Sequence, residues 1–450
     1  MDIQSEIVDR IPRIQERHLA MYRSILESNH APRWNAQCGD RLLEADIPVL
    51  DGFCETLSQP PGPTHDWLES YVQSQSLYSP YFQRYQQRGI SGIWMSREDI
   101  RDRLHEIVPL NADLGRLVLN PTSGTTGMPV QVPNTPLGVG HYQPLILEAI
   151  RRHGIHLKPG LNDMAAVQIC SQSETMTYAT VHSYYDGAGF AKINISPAGE
   201  RNLLKEWNDS DHPEKFIQEL RPAILTGDPF AFETYMDYQI DYRPSAVVST
   251  ASSLSPDLRS RMESFFRCPI VDFYSSNETG PIACSCPEHP DRYHQLAPDI
   301  FLELLCGSEI VASGEGRLLV SGGRNPLLPL LRYNTGDYCS IVSELCSCGQ
   351  KGYIQGLQGR PSVFFHSLTE KRINPLDFAR VLRFVPSRRH RIQQNKDLSM
   401  DIFVDPGSFA LETYVEQIQS RSIEILEGAS VRVHSWDPAL EDAYPYEVLR

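Results

Sequence analysis

The sequence predicts an α/β protein: a large N-terminal domain of mainly parallel sheets flanked by helices, followed by a small α+β domain. Three observations predict it. From Asp163 to Phe273 short apolar runs alternate with helical segments, the rhythm of strands covered by helices. A chain of 450 residues exceeds one small core, so two domains are expected. Near the C-terminus, Leu398–Val404, Leu411–Glu427 and Ser430–His434 read as strand, amphipathic helix and strand, with Gly428 closing the helix.

Composition narrows the function. Apolar residues make up 41% and charged residues 22% of the chain, as in soluble globular proteins. A net charge of -15 and a pI near 5.4 argue against nucleic acid and against an anionic membrane surface as partners. No run of eighteen apolar residues occurs, so no membrane span is expected. Asp2, Glu6, Asp9, Arg10, Arg13, Glu16 and Arg17 leave no apolar core for a signal peptide, which points to the cytoplasm. Of the ten cysteines, Cys38, Cys54, Cys170, Cys268, Cys306 and Cys339 are scattered and read as small buried apolar residues. Cys284, Cys286, Cys346 and Cys348 form two C-x-C pairs, which in a cytoplasmic protein favour metal over disulfide.

Residues 1–110 form a helical lead-in. Ile7, Ile11, Ile14 and Leu19–Met21 recur at helical spacing, Pro60-Pro61-Gly62-Pro63 breaks the chain, and Trp67–Tyr85 is aromatic and helical. Ser96-Arg97-Glu98-Asp99 is a helix start. Leu117-Val118-Leu119 and Val130-Gln131-Val132 are strands around Thr122-Ser123-Gly124-Thr125-Thr126-Gly127-Met128-Pro129. That loop offers hydroxyl donors and two glycines open to left-handed conformations, a cradle for an anion, and it lacks the Walker pattern and its lysine.

Gly138–His153 is a helix closed by Gly154, and Asp163–Cys170 a buried strand. Helices and strands then alternate through Phe216–Leu220, Ala223–Thr226, Pro229–Tyr238, Ala246–Ser249, Pro256–Phe266 and Pro269–Phe273. Ligands of such sheets bind at the carboxyl ends of strands. There the sequence puts Tyr274-Ser275-Ser276-Asn277-Glu278-Thr279-Gly280, whose glutamate can hold Mg²⁺ or water. A strand at Leu318–Ser321 leads to Tyr333-Asn334-Thr335-Gly336-Asp337, whose aspartate suits vicinal hydroxyls. Taken singly, each carboxylate reads as a solvated loop residue. Gly359-Arg360-Pro361-Ser362 marks the boundary, dividing the chain into 1–358 and 359–450, and Asp437–Arg450 reads as irregular.

With these segments in this order, the chain resembles the adenylate-forming superfamily of acyl-CoA synthetases over roughly residues 75–435. The phenylacetate–CoA ligase branch is indicated by Cys346-Ser347-Cys348-Gly349, and by Ser79-Pro80-Tyr81-Phe82 followed by Ser96-Arg97-Glu98-Asp99. The resemblance implies attack of a carboxylate on the α-phosphate of ATP, then transfer of the acyl group to CoA or another thiol or amine. It assigns the β- and γ-phosphates to Thr122, Ser123, Gly124, Thr125, Thr126 and Gly127. Tyr274 would stack on adenine, Asn277 touch the α-phosphate, Glu278 bind Mg²⁺, and Asp337 take the ribose hydroxyls with help from Arg360. Thr122, Asn277 and Glu278 form the catalytic set. An acid and an acceptor are the implied partners, and a homodimer is an allowed assembly.

The chain departs from the family at Ser275, in place of a glycine, and at Pro361-Ser362, in place of an acidic hinge. The family's C-terminal lysine has no counterpart after Lys396, so a shortened small domain and slow adenylation are expected, with Arg388, Arg389 and Arg391 the nearest cations. Two alternatives follow. One is a degenerate homologue that binds nucleotide or acyl-adenylate without efficient adenylation; the other is a non-catalytic, zinc-stabilised binding protein. His182, Tyr184, Tyr185, Phe230 and Phe232 lie where the family places its acyl pocket and suit an aryl acid. Cys286, His294, Cys346 and Cys348 supply three thiolates and an imidazole, a closed set for structural zinc, with Cys284 and His289 as substitutes. Such a metal would clip two loops together beside Glu278 and Asp337.

Overall fold

The computed structural model describes residues 7–32, 38–57, 65–89, 92–121, 130–172, 175, 177–196, 212–238, 240–296, 298–358, 363–382, 385, 387, 389–406, 409–437, 440 and 446–449. Its centre is a 13-stranded mixed sheet. Five neighbouring strands are parallel, in the order Ile270–Ser276, Ala246–Thr250, Ile224–Gly227, Met164–Cys170, Ala188–Asn194. Tyr178–His182 pairs antiparallel at one edge. Seven antiparallel strands extend the other edge, in the order Gly280–Ser285, Arg292–Gln295, Lys351–Gln358, Leu330–Leu345, Gly314–Gly322, Ile300–Cys306, Glu309–Val311.

The parallel strands have both faces covered, which is why they read as continuous apolar runs. Successive side chains point to opposite faces. Val167, Ile169, Leu225 and Val247 join the core under helices His212–Leu220, Pro229–Asp237 and Pro256–Phe266. Ala166, Ile224, Val248 and Val271 join the core that includes Leu145, Ala149 and Ile150 of helix Tyr142–Arg152. The helices start where the sequence caps them. Asp228 accepts from the Ala231 amide and Ser255 from the Leu258 amide, each one residue before a proline in the first turn.

The lead-in is helical, as expected, but broken more often. Trp67–Tyr85 belongs to two helices, His65–Ser76 and Pro80–Arg88, separated before Pro80. Gly138–His153 falls in two, Pro136–Gly140 and Tyr142–Arg152, and Gly154 follows at φ 82°. Ser96 caps Arg97–Ile107 and exchanges hydrogen bonds with Asp99. Val118–Pro121 and Gln131–Asn134 pair antiparallel. The loop between them, Thr122–Pro129, lies outside the described residues, as do Arg360, Pro361, Ser362 and Arg388.

The smaller C-terminal domain has its own four-stranded sheet, in the order Val431–Ser435, Met400–Asp405, Arg389–Gln394, Tyr446–Val448. Its separate core includes Phe365, Phe378, Ile392, Ile402 and Ile418. The expectation of an irregular tail is corrected at Tyr446–Val448, which pairs in parallel with Arg389–Gln394. Tyr446 is buried in the small core, and that burial fixes the strand. The small domain touches the large sheet through Asn374 Nδ2, which donates to the Ser171 carbonyl at 2.9 Å, and Arg380, which donates to Gln172 Oε1 at 3.0 Å. Among the described residues no helix is long and apolar enough to cross a membrane.

Candidate active site and candidate metal centre

Tyr274 ends the apolar part of strand Ile270–Ser276, and Asn277, Glu278 and Thr279 form the turn into the next strand. Ser276 Oγ accepts from the Thr279 amide at 3.1 Å and holds that turn. Asp337 sits within strand Leu330–Leu345 beside Gly336, whose φ of 83° a side chain would strain. Three strands separate the two elements in hydrogen-bonded order, so the sheet must curl to bring them together. It does: the Tyr274 hydroxyl donates to Asp337 Oδ2 at 2.6 Å. Burial, and then the Asp337 charge, raise the Tyr274 hydroxyl well above its ordinary pKa, so it stays a donor. Glu278 is buried at 7% exposure, and none of the described residues donates a hydrogen bond to it or pairs with it.

Tyr274, Asn277, Glu278 and Asp337 line one cavity of about 2500 Å³. His182, Tyr184, Tyr185 and Phe230 line it too. Phe232 does not: it is fully buried among the helices on the opposite face of the sheet. The Tyr184 hydroxyl donates to Asp51 Oδ1 at 2.9 Å and lies 3.4 Å from Cys54 Sγ.

Two more residues reach the cavity, and one of them, Asp228, escaped the sequence reading. Arg389 reaches it from the small domain. Asp228 caps helix Pro229–Asp237, and the Asp-Pro pair at a helix start was the signal that could have found it. Burial pushes the Asp228 carboxyl up to about 6, against bonds from the Ala231 and Phe230 amides and the charge of Lys192. The fold therefore favours the protonated acid. The stability this gives is complete below the ordinary carboxyl pKa and is lost as pH rises through about 6. Asp228→Asn keeps a capping oxygen and cannot ionise. Between pH 4 and 7 the wild type should lose about 2 kcal/mol relative to the variant, from a gap of roughly two pK units. Parallel denaturation curves for the two proteins across that range would contradict the assignment.

The metal set assembles as spacing suggested. Cys286 follows strand Gly280–Ser285, His294 lies in Arg292–Gln295, and Cys346 and Cys348 sit in the turn joining Leu330–Leu345 to Lys351–Gln358. Arg292 and Tyr293 pair with Gln355 and Ile354, which brings the two hairpin ends together. The four ligand atoms lie within 4.8 Å of one another. His294 Nδ1 is 2.9 Å from the Gly352 carbonyl, so it carries the proton and Nε2 faces Cys348 Sγ at 3.2 Å. Cys284 instead joins the apolar core beside helix Tyr142–Arg152, and His289 Nε2 contacts Ser347 Oγ at 2.7 Å. The cluster is not beside Glu278. It stands at the other end of strand Gly280–Ser285, about 20 Å away at ~3.3 Å per residue.

No protein-family model matches the chain. Over 179 residues it is 25% identical to Protein CapK of Staphylococcus aureus, a stretch that is 38% of either chain, so it spans about 38% of that relative's length. An anthranilate CoA ligase in complex with anthranoyl-AMP aligns at a TM-score of 0.35 and 12% identity, over 73% of this chain and 66% of that one. A 2-hydroxyisobutyryl-CoA ligase in complex with 2-HIB-AMP and CoA, in the thioesterification state, aligns at a TM-score of 0.53 and 15% identity, over 90% of this chain and 91% of that one. The chain has the fold of that acyl-CoA ligase, large and small domain together.

Proposed function

We propose that the chain activates a carboxylic acid with ATP, through an acyl-adenylate, and transfers the acyl group to CoA or another thiol or an amine. The observation that carries this reading is the meeting of Tyr274, Asn277, Glu278 and Asp337 around one cavity, with Tyr274 bonded to Asp337. In the first half-reaction a carboxylate oxygen attacks the α-phosphorus and pyrophosphate leaves. In the second, the acceptor attacks the acyl carbon, loses its proton, and AMP leaves. Such chemistry rests on positioning and charge neutralisation.

Asp337 would accept the ribose hydroxyls, with Tyr274 fixing the carboxylate and lying beside the base. Asn277 would donate to the α-phosphate. Glu278, a buried acid without a partner among the described residues, fits a Mg²⁺ ligand. That ion, when bound, would neutralise phosphate charge. The phosphate cradle Thr122–Gly127, the help of Arg360 and a domain boundary at 358/359 belong to the same reading. Tyr184, Tyr185 and Phe230 give the cavity aromatic walls, which favours an aryl group in the acid.

Asp337→Ala should weaken ATP and AMP binding by about 2 kcal/mol, since hydrogen bonds to a charged group contribute roughly 1.5–3 kcal/mol. Calorimetry checks this, and unchanged affinity would remove Asp337 from the site. Acid-dependent release of pyrophosphate tests the reaction itself. Nucleotide binding with no such release for any acid would leave a binding protein.

A further inference from the structure

Two buried polar atoms in the cavity wall have no internal role. His182 Nε2 and the Tyr185 hydroxyl are closed to solvent and meet no hydrogen-bond partner among the described residues. Buried polar side chains are bonded in the large majority of cases, so each such atom calls for an explanation. Their neighbour Tyr184 shows the contrast, because Asp51 and Cys54 satisfy its hydroxyl from helix Ile47–Thr56. His182 also stands edge-on to Phe190 at 5.0 Å, and Phe190 lines the same cavity. This end of the cavity is thus a mixed wall, with Phe190 and Leu42 beside Asp40, Arg41 and Thr180, and it holds two unused polar atoms.

Position adds a length. His182 ends the edge strand Tyr178–His182, and four strands lie between it and the strand that carries Tyr274. Five steps at ~4.8 Å make about 24 Å across the sheet, and His182, paired with Ala188 at the amino ends of the parallel strands, is displaced along them from Tyr274 as well. Gln168, Thr226 and Val248, on the strands between, line the cavity along that path.

Resting on the ligase reading above, we propose that the acid is extended rather than a single ring next to its carboxylate. Its far end carries a neutral hydrogen-bonding group, such as a hydroxyl, which His182 and Tyr185 recognise. A neutral group suits the site because charges of both signs already stand near it, Asp40 and Asp51 as well as Arg41 and Arg13, which donates to the Ser183 carbonyl at 3.1 Å. Burial lowers the His182 pKa, which keeps the ring neutral and able to present either a donor or a lone pair. A site built to bond a hydroxyl discriminates strongly against the analogue without one, because its own buried atoms are then left unpaired.

The test uses the full chain with ATP and two probes, 8-phenyloctanoate and 8-(4-hydroxyphenyl)octanoate, with phenylacetate as the short comparison. Pyrophosphate release is the readout. The wild type should prefer the hydroxylated long acid by about 10- to 100-fold in kcat/KM. Tyr185→Phe, which removes one oxygen, and His182→Leu should each erase most of that preference by raising KM for the hydroxylated acid. Three results would overturn the inference and leave the ligase reading standing: equal use of the two long acids, a preference that survives both substitutions, or equally good use of phenylacetate. Failure of every acid to release pyrophosphate would instead remove the ligase reading, and the inference with it.

Discussion

Protein purified from zinc-containing medium should carry one zinc per chain, and stripping the metal should lower the melting temperature by about 10 °C. The geometry is the reason. Zn–S bonds of ~2.3 Å arranged tetrahedrally place sulfurs about 3.8 Å apart. Cys286 Sγ and Cys346 Sγ are 3.9 Å apart. The turn bearing Cys346 and Cys348 is closed by the Gly349 amide donating to the Cys346 carbonyl at 2.9 Å, and Cys286 is tied to Arg292 at 2.7 Å. These sulfurs are held by backbone, and the His294 tautomer by Gly352. Three thiolates around Zn²⁺ leave one net negative charge, and Arg292 Nη1 lies 3.6 Å from Cys346 Sγ to offset it. At free zinc of about a thousand times Kd the bound ion stabilises the fold by ~4 kcal/mol. At roughly 2–4 °C per kcal/mol for a domain of a few hundred residues, that gives the expected shift. Cys346→Ser should abolish zinc binding, and Cys284→Ser should leave the zinc content unchanged. Because thiolates and neutral imidazole are the ligands, the metal should leave as pH falls. Metal-free protein by elemental analysis, with a melt indifferent to a strong chelator, would mean free thiols.

Parts of this molecule were legible in the sequence for specific reasons. The alternation from Asp163 to Phe273 was readable because strands covered on both faces read as apolar runs, as in Met164–Val167. The cap at Ser96 was readable because its bonds are local. The grouping of Cys286, His294, Cys346 and Cys348 was readable from residue type and spacing, but its place was not. A C-x-C pair does not say which end of a hairpin it occupies, and the strand Gly280–Ser285 carries Cys286 away from Glu278.

Non-local features were the ones missed. Tyr178–His182 and Ala188–Asn194 form a hairpin whose only strong signal is the pairing itself. Tyr446–Val448 is three residues long and becomes a strand only because Arg389–Gln394 offers an open edge and the small core a place for Tyr446. Phe230 and Phe232, two apart at a helix start, look alike in sequence, yet one faces the cavity and the other the core. The Tyr274–Asp337 bond depends on the curl of the sheet, which no local pattern encodes.

On the ligase reading, Arg389→Ala should slow acyl-adenylate formation by about 10²–10³, while transfer from a ready-made adenylate stays within a few-fold of wild type. Three arginines were candidates for the cation that attends the first step, and the structure separates two of them. Arg391 is buried at 7% exposure in an ion pair with Glu447. Arg388 lies outside the described residues. Arg389 lines the cavity, the only cation the small domain places there among the described residues. Its guanidinium is oriented by Asp405 Oδ2 at 3.2 Å and by the Trp436 ring, 4.6 Å from the centroid. Adenylation brings two anions together, the acid's carboxylate and the α-phosphate, and a fixed cation between them acts most strongly as they close. Once the acyl-phosphate bond exists, the carboxylate charge is gone and that demand falls. The two half-reactions should therefore respond unequally to one substitution. Acid-dependent exchange of pyrophosphate into ATP measures the first, and AMP release from a synthetic acyl-adenylate with CoA measures the second. Arg391→Ala serves as the comparison: it should destabilise the small domain and lower both rates together. Exchange that survives Arg389→Ala at the wild-type rate would take the cation away from this strand. Equal loss in both assays would mean that Arg389 supports the small domain rather than the chemistry.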